Sequence, residues 1–151
     1  MSFTEHMARL PRSVADAVEE MVARDELDLV LLFGSRARGE HGPMSDVDLA
    51  VRANENVEDV HDWKLATLAR LAGPVQSVDL VLIEQASLAL RYRVARDRLP
   101  LWTRDERALF AFRFEAVRDW LDFEPVIRAH DAALVRRVAD GTFGEGKPRD
   151  G

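Results

Sequence analysis

The stretch Leu29–Val51, LVLLFGSRARGEHGPMSDVDLAV, constrains this chain more than any other. Its first five residues are apolar without alternation, the pattern of a strand covered on both faces, so Asp28–Phe33 is expected to be a central strand. The run stops at Gly34-Ser35. A short helical opening is expected over Ser35–Gly39, broken by Gly39 and the Gly42-Pro43 pair. After ten intervening residues come Asp46 and Asp48, in a second expected strand over Asp46–Val51. Alternation along that strand puts both aspartates on one face, roughly 6.5–7 Å apart, and turns Val47, Leu49 and Val51 the other way, into a core.

The rest of the chain completes a small layered domain. Ser13-Val14-Ala15-Asp16 reads as a capping box, followed by Val14, Ala17, Val18, Met21 and Val22 at helical spacing up to about Asp25. Val57, Val60, Trp63, Leu68 and Leu71 form one broad helical stripe, which Gly73-Pro74 stops. Val75–Ile83 is a third expected strand, Ala86–Arg96 a helix, and Leu99–Trp102 a short edge strand. Arg104–Val138 reads as helix, bent or interrupted at Pro125. The order is α/β or α+β: a catalytic core over about 13–103 and C-terminal helices over about 104–138, in a single domain spanning 1–140. Residues 141–151, rich in glycine and charge, are expected to be a flexible tail.

Composition narrows the class. The chain has 151 residues, 47% hydrophobic and 32% charged, which is globular and long enough to bury a core. It has no cysteine, so a disulfide framework, a thiolate metal site and a cysteine nucleophile are all excluded. Glu5, Arg9 and Arg12 interrupt the start, and no apolar stretch follows them as in a signal peptide. Leu29–Phe33 is the longest clean apolar run and is far too short to span a bilayer. These features suggest a cytoplasmic protein with no membrane partner. The net charge of −6 argues against direct nucleic-acid binding, which needs a large positive field. Nineteen of the 21 basic residues are arginine, whose planar fork matches phosphate.

The chemistry sits in the Leu29–Val51 stretch. Gly34 allows close backbone approach, the N–H groups opening a helix attract phosphate oxygens, and the Ser35 hydroxyl donates one more hydrogen bond. Asp46 and Asp48 offer hard oxygen ligands at a spacing that flanks magnesium ions, which in turn hold triphosphate oxygens. Two such ions roughly 3.5–4 Å apart stabilise the attacking and leaving oxygens of an in-line displacement. A third carboxylate is needed near the acceptor hydroxyl. Asp79, in Val78–Ile83, shares its face with Val81 and Ile83; an ionised group there is costly unless paired, and metal ligation would account for it. Taken singly, Gly34-Ser35 reads as a turn, Asp46 and Asp48 as a strand-entry cap and a solvated edge, and Asp79 as a structural residue. Taken together they favour catalysis.

Gly34-Ser35-Arg36-Ala37-Arg38-Gly39 followed by Ser45-Asp46-Val47-Asp48-Leu49 resembles the polymerase-β-type nucleotidyltransferase superfamily, in which Gly-Ser, ten residues and Asp-x-Asp follow without a gap. The Ala-Arg-Gly ending, the short length and the position of Asp79 look most like its minimal nucleotidyltransferases. That resemblance implies a mixed sheet flanked by helices, magnesium (two ions) and ATP as donor. It implies Gly34, Ser35, Arg36 and Arg38 around the nucleotide, with Asp46, Asp48 and Asp79 as metal ligands and Asp79 also at the acceptor hydroxyl.

Some members of that group are antitoxins that transfer AMP to a tyrosine of a helical HEPN-type ribonuclease toxin, and Arg113–Val126, RFEAVRDWLDFEPV, is similar to their final helix. This implies a protein adenylyltransferase with a HEPN-type partner. The rival readings are a transferase acting on a small molecule such as an aminoglycoside, and a non-catalytic antitoxin that neutralises by binding.

Three further features bear on partners. Phe110, Phe114, Val117 and Leu121 make one stripe of the last helix, and Leu109, Phe112, Ala116 and Trp120 a second. An arc that wide needs cover on more than one side, so one stripe is expected to face a partner protein or a second copy, with Phe112 and Trp120 as anchors, unless the segment after Pro125 folds back over it. Arg91, Arg93, Arg96 and Arg98 are either a solvated face, or a triphosphate clamp or surface for an acidic partner, and Arg38 pairs with either triphosphate or a local carboxylate. Neither the four histidines nor Tyr92, the only tyrosine, shows a pattern that demands more than a solvated or packing role.

Overall fold

The computed structural model describes residues 3–42, 45–71, 77–97 and 99–141. Gly73-Pro74, the start of the third expected strand at Val75, Arg98 and all but the first residue of the expected tail lie outside them. Four strands form one mixed sheet in the order β3-β2-β1-β4: β1 is Leu27–Phe33, β2 Val47–Ala53, β3 Val78–Leu82 and β4 Leu99–Thr103. β1 runs antiparallel to β2 and β4, while β2 and β3 are parallel. The central strand is thus the one with no apolar alternation, and both its neighbours hydrogen-bond to it.

Alternation divides the two faces. Val30, Leu32, Val47, Leu49, Val51, Leu80 and Leu82 face a core built with α2 (Arg12–Ala23) and α4 (Val60–Leu71), through Val14, Val18, Met21 and Leu71. Leu29, Leu31, Phe33 and Ala50 face the other way, against α5 (Leu88–Asp97) and α6 (Glu106–Ala139), through Val94, Ala95, Phe112 and Ala116. Asp48 and Asp79 share the α5 face by the same alternation. A short α1 (Phe3–Met7) sits at the β4 edge, where His6 Nδ1 donates to the Pro100 carbonyl at 2.7 Å.

Several expectations change. The capping box at Ser13 is not used: α2 begins at Arg12, Pro11 is its N-cap, and the Pro11 carbonyl accepts from Val14 and Ala15, each at 3.0 Å. The fixed φ of proline sets the helix entry one turn-position early, so Ser13 lies inside the helix. Val57 falls in the loop before α4, and Ile83 opens a 3₁₀ turn, Ile83–Gln85, after β3. α6 runs through Pro125 without interruption for 34 residues, about 51 Å at 1.5 Å per residue. Asp105 caps its start by accepting from the Arg107 N–H. The segment after Pro125 does not fold back: from Leu121 to the end of the helix only Glu124 and Ile127 are even half-buried.

The stripe assignment on α6 reverses. Phe112 and Ala116 are 2% and 4% exposed and belong to the core, whereas Phe110, Phe114 and Leu121 are 70%, 56% and 58% exposed. Trp120 stacks on Tyr92 of α5, with ring centroids 5.4 Å apart. Which stripe meets the sheet depends on the angle through which α6 is rotated about its own axis as it packs. Helical periodicity alone does not contain that angle.

Candidate active site

Strand register assembles the site. Phe33, the last residue of β1, pairs with Asp48 on β2, and Asp48 pairs with Asp79 on β3. A single row across the sheet therefore carries the chain into the Gly-Ser turn beside two aspartates. Asp46 lies one residue before β2, where the Val47 N–H donates to the Ser77 carbonyl at 3.0 Å and extends the parallel pairing. Register sets Asp48 beside Asp79, and the charges of both Asp46 and Asp79 act on Asp48. The burial expected of Asp79 does not hold: β3 is an edge strand and Asp79 is exposed.

The turn after β1 is held against this row. Gly34 has φ +75°, and a Cβ there would collide with Asp48 Oδ2 and sit 3.1 Å from its Cγ. Glycine is required both for the backbone angle and for the contact. α3 (Gly34–Arg38) then runs a single turn and ends at Gly39, φ +74°, in the left-handed conformation. Half-buried Ser35 sits in its first turn.

The sequence leads one to expect free N–H groups at the start of that turn, but the first of them is occupied. Gly34 N–H donates to Asp97 Oδ2 at 2.8 Å, and Arg38 Nη1 donates to the same oxygen at 3.1 Å. Arg38 also donates to Glu40 at 2.9 Å, so of its two expected partners the local carboxylates hold it in this state. Arg36 points away from the aspartate row: it is 6% exposed and donates to the backbone carbonyls of Arg9 (3.3 Å) and Ser45 (3.1 Å). In return Arg9 donates to the Ala37 carbonyl at 2.9 Å, placing a cation at the C-terminal end of α3. Arg36 thereby ties the Gly-Ser helix to the residue just before Asp46.

The arginines of α5 split in role. Arg91 donates to the Ala86 carbonyl and Arg96 to Asp97. Exposed Arg93 acts on Asp48 by charge. Asp97 itself escaped sequence reasoning, hidden in a run read only for its positive charge; the signal would have been a lone acid among arginines.

Electrostatics single out Asp48. Burial, then the charges of Asp79 and Asp46, raise its carboxyl above the ordinary range, against the opposing pull of Arg93 and Arg38. Within the described residues no hydrogen bond is donated to the carboxylates of Asp46, Asp48 or Asp79. The described residues form no ready-made cluster of three His, Cys, Asp or Glu ligands. Asp46, Asp48 and Asp79 are hard oxygen donors, the kind that hold magnesium through one or two carboxylates together with substrate phosphates. A cation beside Asp48 would offset the like charges that raise its carboxyl.

A Gly-Ser turn leaving a central strand and an Asp-x-Asp on the neighbouring strand, in a mixed sheet between helices, define a nucleotidyltransferase frame. The family described as Polymerase beta, Nucleotidyltransferase matches residues 17–107, well over half the chain, and the chain belongs to it. Over 90 residues it is 37% identical to the protein adenylyltransferase MntA of Shewanella oneidensis, covering 58% of this chain and 63% of that relative.

Two solved structures share the fold. One is a toxin–antitoxin with AMP-PNP (TM-score 0.62, 24% identity, covering 82% of this chain and 97% of that one). The other is a complex of a tri-AMPylated Shewanella oneidensis HEPN toxin with an MNT antitoxin (TM-score 0.58, 20% identity, covering 91% and 99%). No helix among the described residues is long and apolar enough to cross a membrane.

Proposed function

We propose that this chain is a magnesium-dependent protein adenylyltransferase, the antitoxin of a toxin–antitoxin pair, which moves AMP from ATP onto a tyrosine hydroxyl of a HEPN-type toxin. The observation that carries it is the row Phe33–Asp48–Asp79, which sets the Gly34-Ser35 turn beside two paired aspartates, with Asp46 one residue before the strand that carries Asp48. The 37% identity to a protein adenylyltransferase supports the reaction type and the protein acceptor.

Ser35 and the turn receive the triphosphate. Asp46, Asp48 and Asp79 would hold magnesium, which supplies charge neutralisation at the phosphates when bound. Asp79, exposed at the sheet edge, lies where an acceptor from outside reaches the row. The acceptor oxygen forms a bond to the α-phosphorus, the bond from that phosphorus to the bridging oxygen breaks, and pyrophosphate leaves. The hydroxyl proton passes to Asp79 and on to water. The stripe of exposed Phe110, Phe114 and Leu121 with half-buried Val117 docks the acceptor protein.

The test is transfer of label from α-labelled ATP to a HEPN-type toxin with magnesium present. Label should appear on the toxin with the wild-type chain. With Asp79→Asn it should fall by roughly 10²–10⁴-fold while magnesium-dependent ATP binding largely persists, because the acceptor-side carboxylate acts mainly in the transition state. Absence of label with the wild type refutes a protein acceptor, and near-normal transfer by Asp79→Asn removes Asp79 from the chemistry.

A further inference from the structure

We infer that Asp97 is a positioning residue of the nucleotide site, clamping the Gly34-Ser35 turn against Asp48 in the shape that receives a triphosphate. The inference rests on reading that site as an ATP-dependent nucleotidyltransferase centre. α3 spans only five residues, one turn, and a helix that short does not hold itself. Its geometry must come from tertiary contacts. At its far end these are the Arg9 and Arg36 bonds to backbone; at its start there is Asp97, at the last position of α5.

The Asp97 side chain is 1% exposed, and its two oxygens accept from three donors: Gly34 N–H at 2.8 Å, Arg38 Nη1 at 3.1 Å and Arg96 Nε at 3.2 Å. Two arginines offset its negative charge, so a carboxylate is tolerated next to a site for a polyanion. On its other side Gly34 is already in contact with the Asp48 carboxylate. The turn is therefore pinned between one aspartate that binds its N–H and another that lines the reaction row. Any slack at Gly34 moves Ser35 relative to Asp48. A displaced turn weakens its hold on the triphosphate in ground state and transition state alike, which raises KM and leaves kcat.

A merely structural Asp97 would change stability without changing how nucleotide binds. The discriminating series is Asp97→Ala, Asp97→Asn and Asp97→Glu in the 151-residue chain, measured for KM of ATP with magnesium, kcat at saturating ATP and melting temperature. Asn keeps an acceptor oxygen for Gly34; Ala removes it; Glu keeps the charge but pushes the turn out by a methylene. Asp97→Ala and Asp97→Glu should raise KM for ATP about ten- to a hundredfold with kcat changing by less than about threefold, and Asp97→Asn should restore most of the loss.

An independent reading needs no nucleotide. In the amide spectrum of the unliganded chain, the Gly34 and Ser35 resonances should shift in the Ala and Glu variants and largely return in Asn, while those of α2 stay. If Asp97→Ala does not fold, the contrast between Glu and Asn carries the test. Unchanged KM in folded Ala or Glu variants, or an unmoved Gly34 amide, overturns the role of Asp97. A wild-type chain that binds no ATP while the Gly34 amide responds would instead refute the reading of the site.

Discussion

Asp48 has more demands on it than any other residue in the row. It pairs in register with Phe33 and Asp79, touches Gly34, and faces the charges of Asp46 and Asp79. Burial and those two like charges raise its folded pKa above the unfolded value. The folded state thus holds the Asp48 proton more tightly than the unfolded chain does. The stability this contributes is present at low pH and is lost as pH rises through the raised value. Asp48→Asn removes the cost, so the unliganded variant should melt at or above the wild-type temperature near neutral pH. The same substitution removes a magnesium ligand. Wild type at ATP 100-fold above its Kd should gain about 2.7 kcal/mol with magnesium. Asp48→Asn should gain far less, close to what EDTA leaves in the wild type. A drop in unliganded stability, or an intact magnesium-dependent gain, would contradict the account of Asp48.

α6 shows how one helix serves two surroundings. Its inner half lays Phe112 and Ala116 on Leu29, Leu31 and Phe33, while Phe110, Phe114 and Leu121 stay in water on the opposite side. Phe112→Glu puts a carboxylate into an apolar core and removes the ring beneath the Arg52 guanidinium, and truncating a buried Phe already costs about 3–5 kcal/mol. That variant should be unfolded or strongly destabilised by circular dichroism and thermal melt. Phe114→Glu should leave the melt and ATP binding near wild type yet lose co-purification with the toxin, and transfer should fall with it. If Phe114→Glu still binds the toxin, docking lies elsewhere. α3 is the opposite case, an element too short to persist alone that is fixed at both ends by side chains from α5 and from the α1–α2 connection.

In the molecule as a whole, the sheet and the helices on its two faces form the stable body, and the outer half of α6 projects from it. Leu121, Phe123, Val126, Leu134, Val135 and Val138 are each between 38% and 67% exposed. Residues 126–141 bury little surface, so ending the chain at Pro125 should lower the melting temperature by less than about 4 °C, the shift expected for at most 1 kcal/mol in a body this size. A larger fall would mean that the projecting segment contributes to the core. Tyr92 and Trp120 mark the boundary, since their stack is the outermost aromatic contact between α5 and α6.

The central strand, the Gly-Ser turn and the spacing to Asp46 and Asp48 were legible in the residues themselves, because each rests on local physics: an unbroken apolar run, a glycine where a side chain cannot fit, alternation along a strand. Alternation also placed Val47, Leu49 and Val51 on the core side correctly. Tertiary structure decided the rest. The register that sets Asp48 opposite Asp79 is a property of two strands, and edge placement, not burial, is what leaves Asp79 open. Arg36 and Arg38 sit two apart in the motif, yet one is buried among backbone carbonyls and the other is paired with Glu40 and Asp97, a difference that depends on Arg9 and Asp97, 27 and 59 positions away. Asp97 reaches Gly34 across 63 residues of sequence, and α6 turns Phe112 inward and Phe114 outward because of how it is rotated about its own axis against the sheet and α5. A periodicity or a motif fixes which residues lie on one side of an element; only packing against other elements fixes what that side meets.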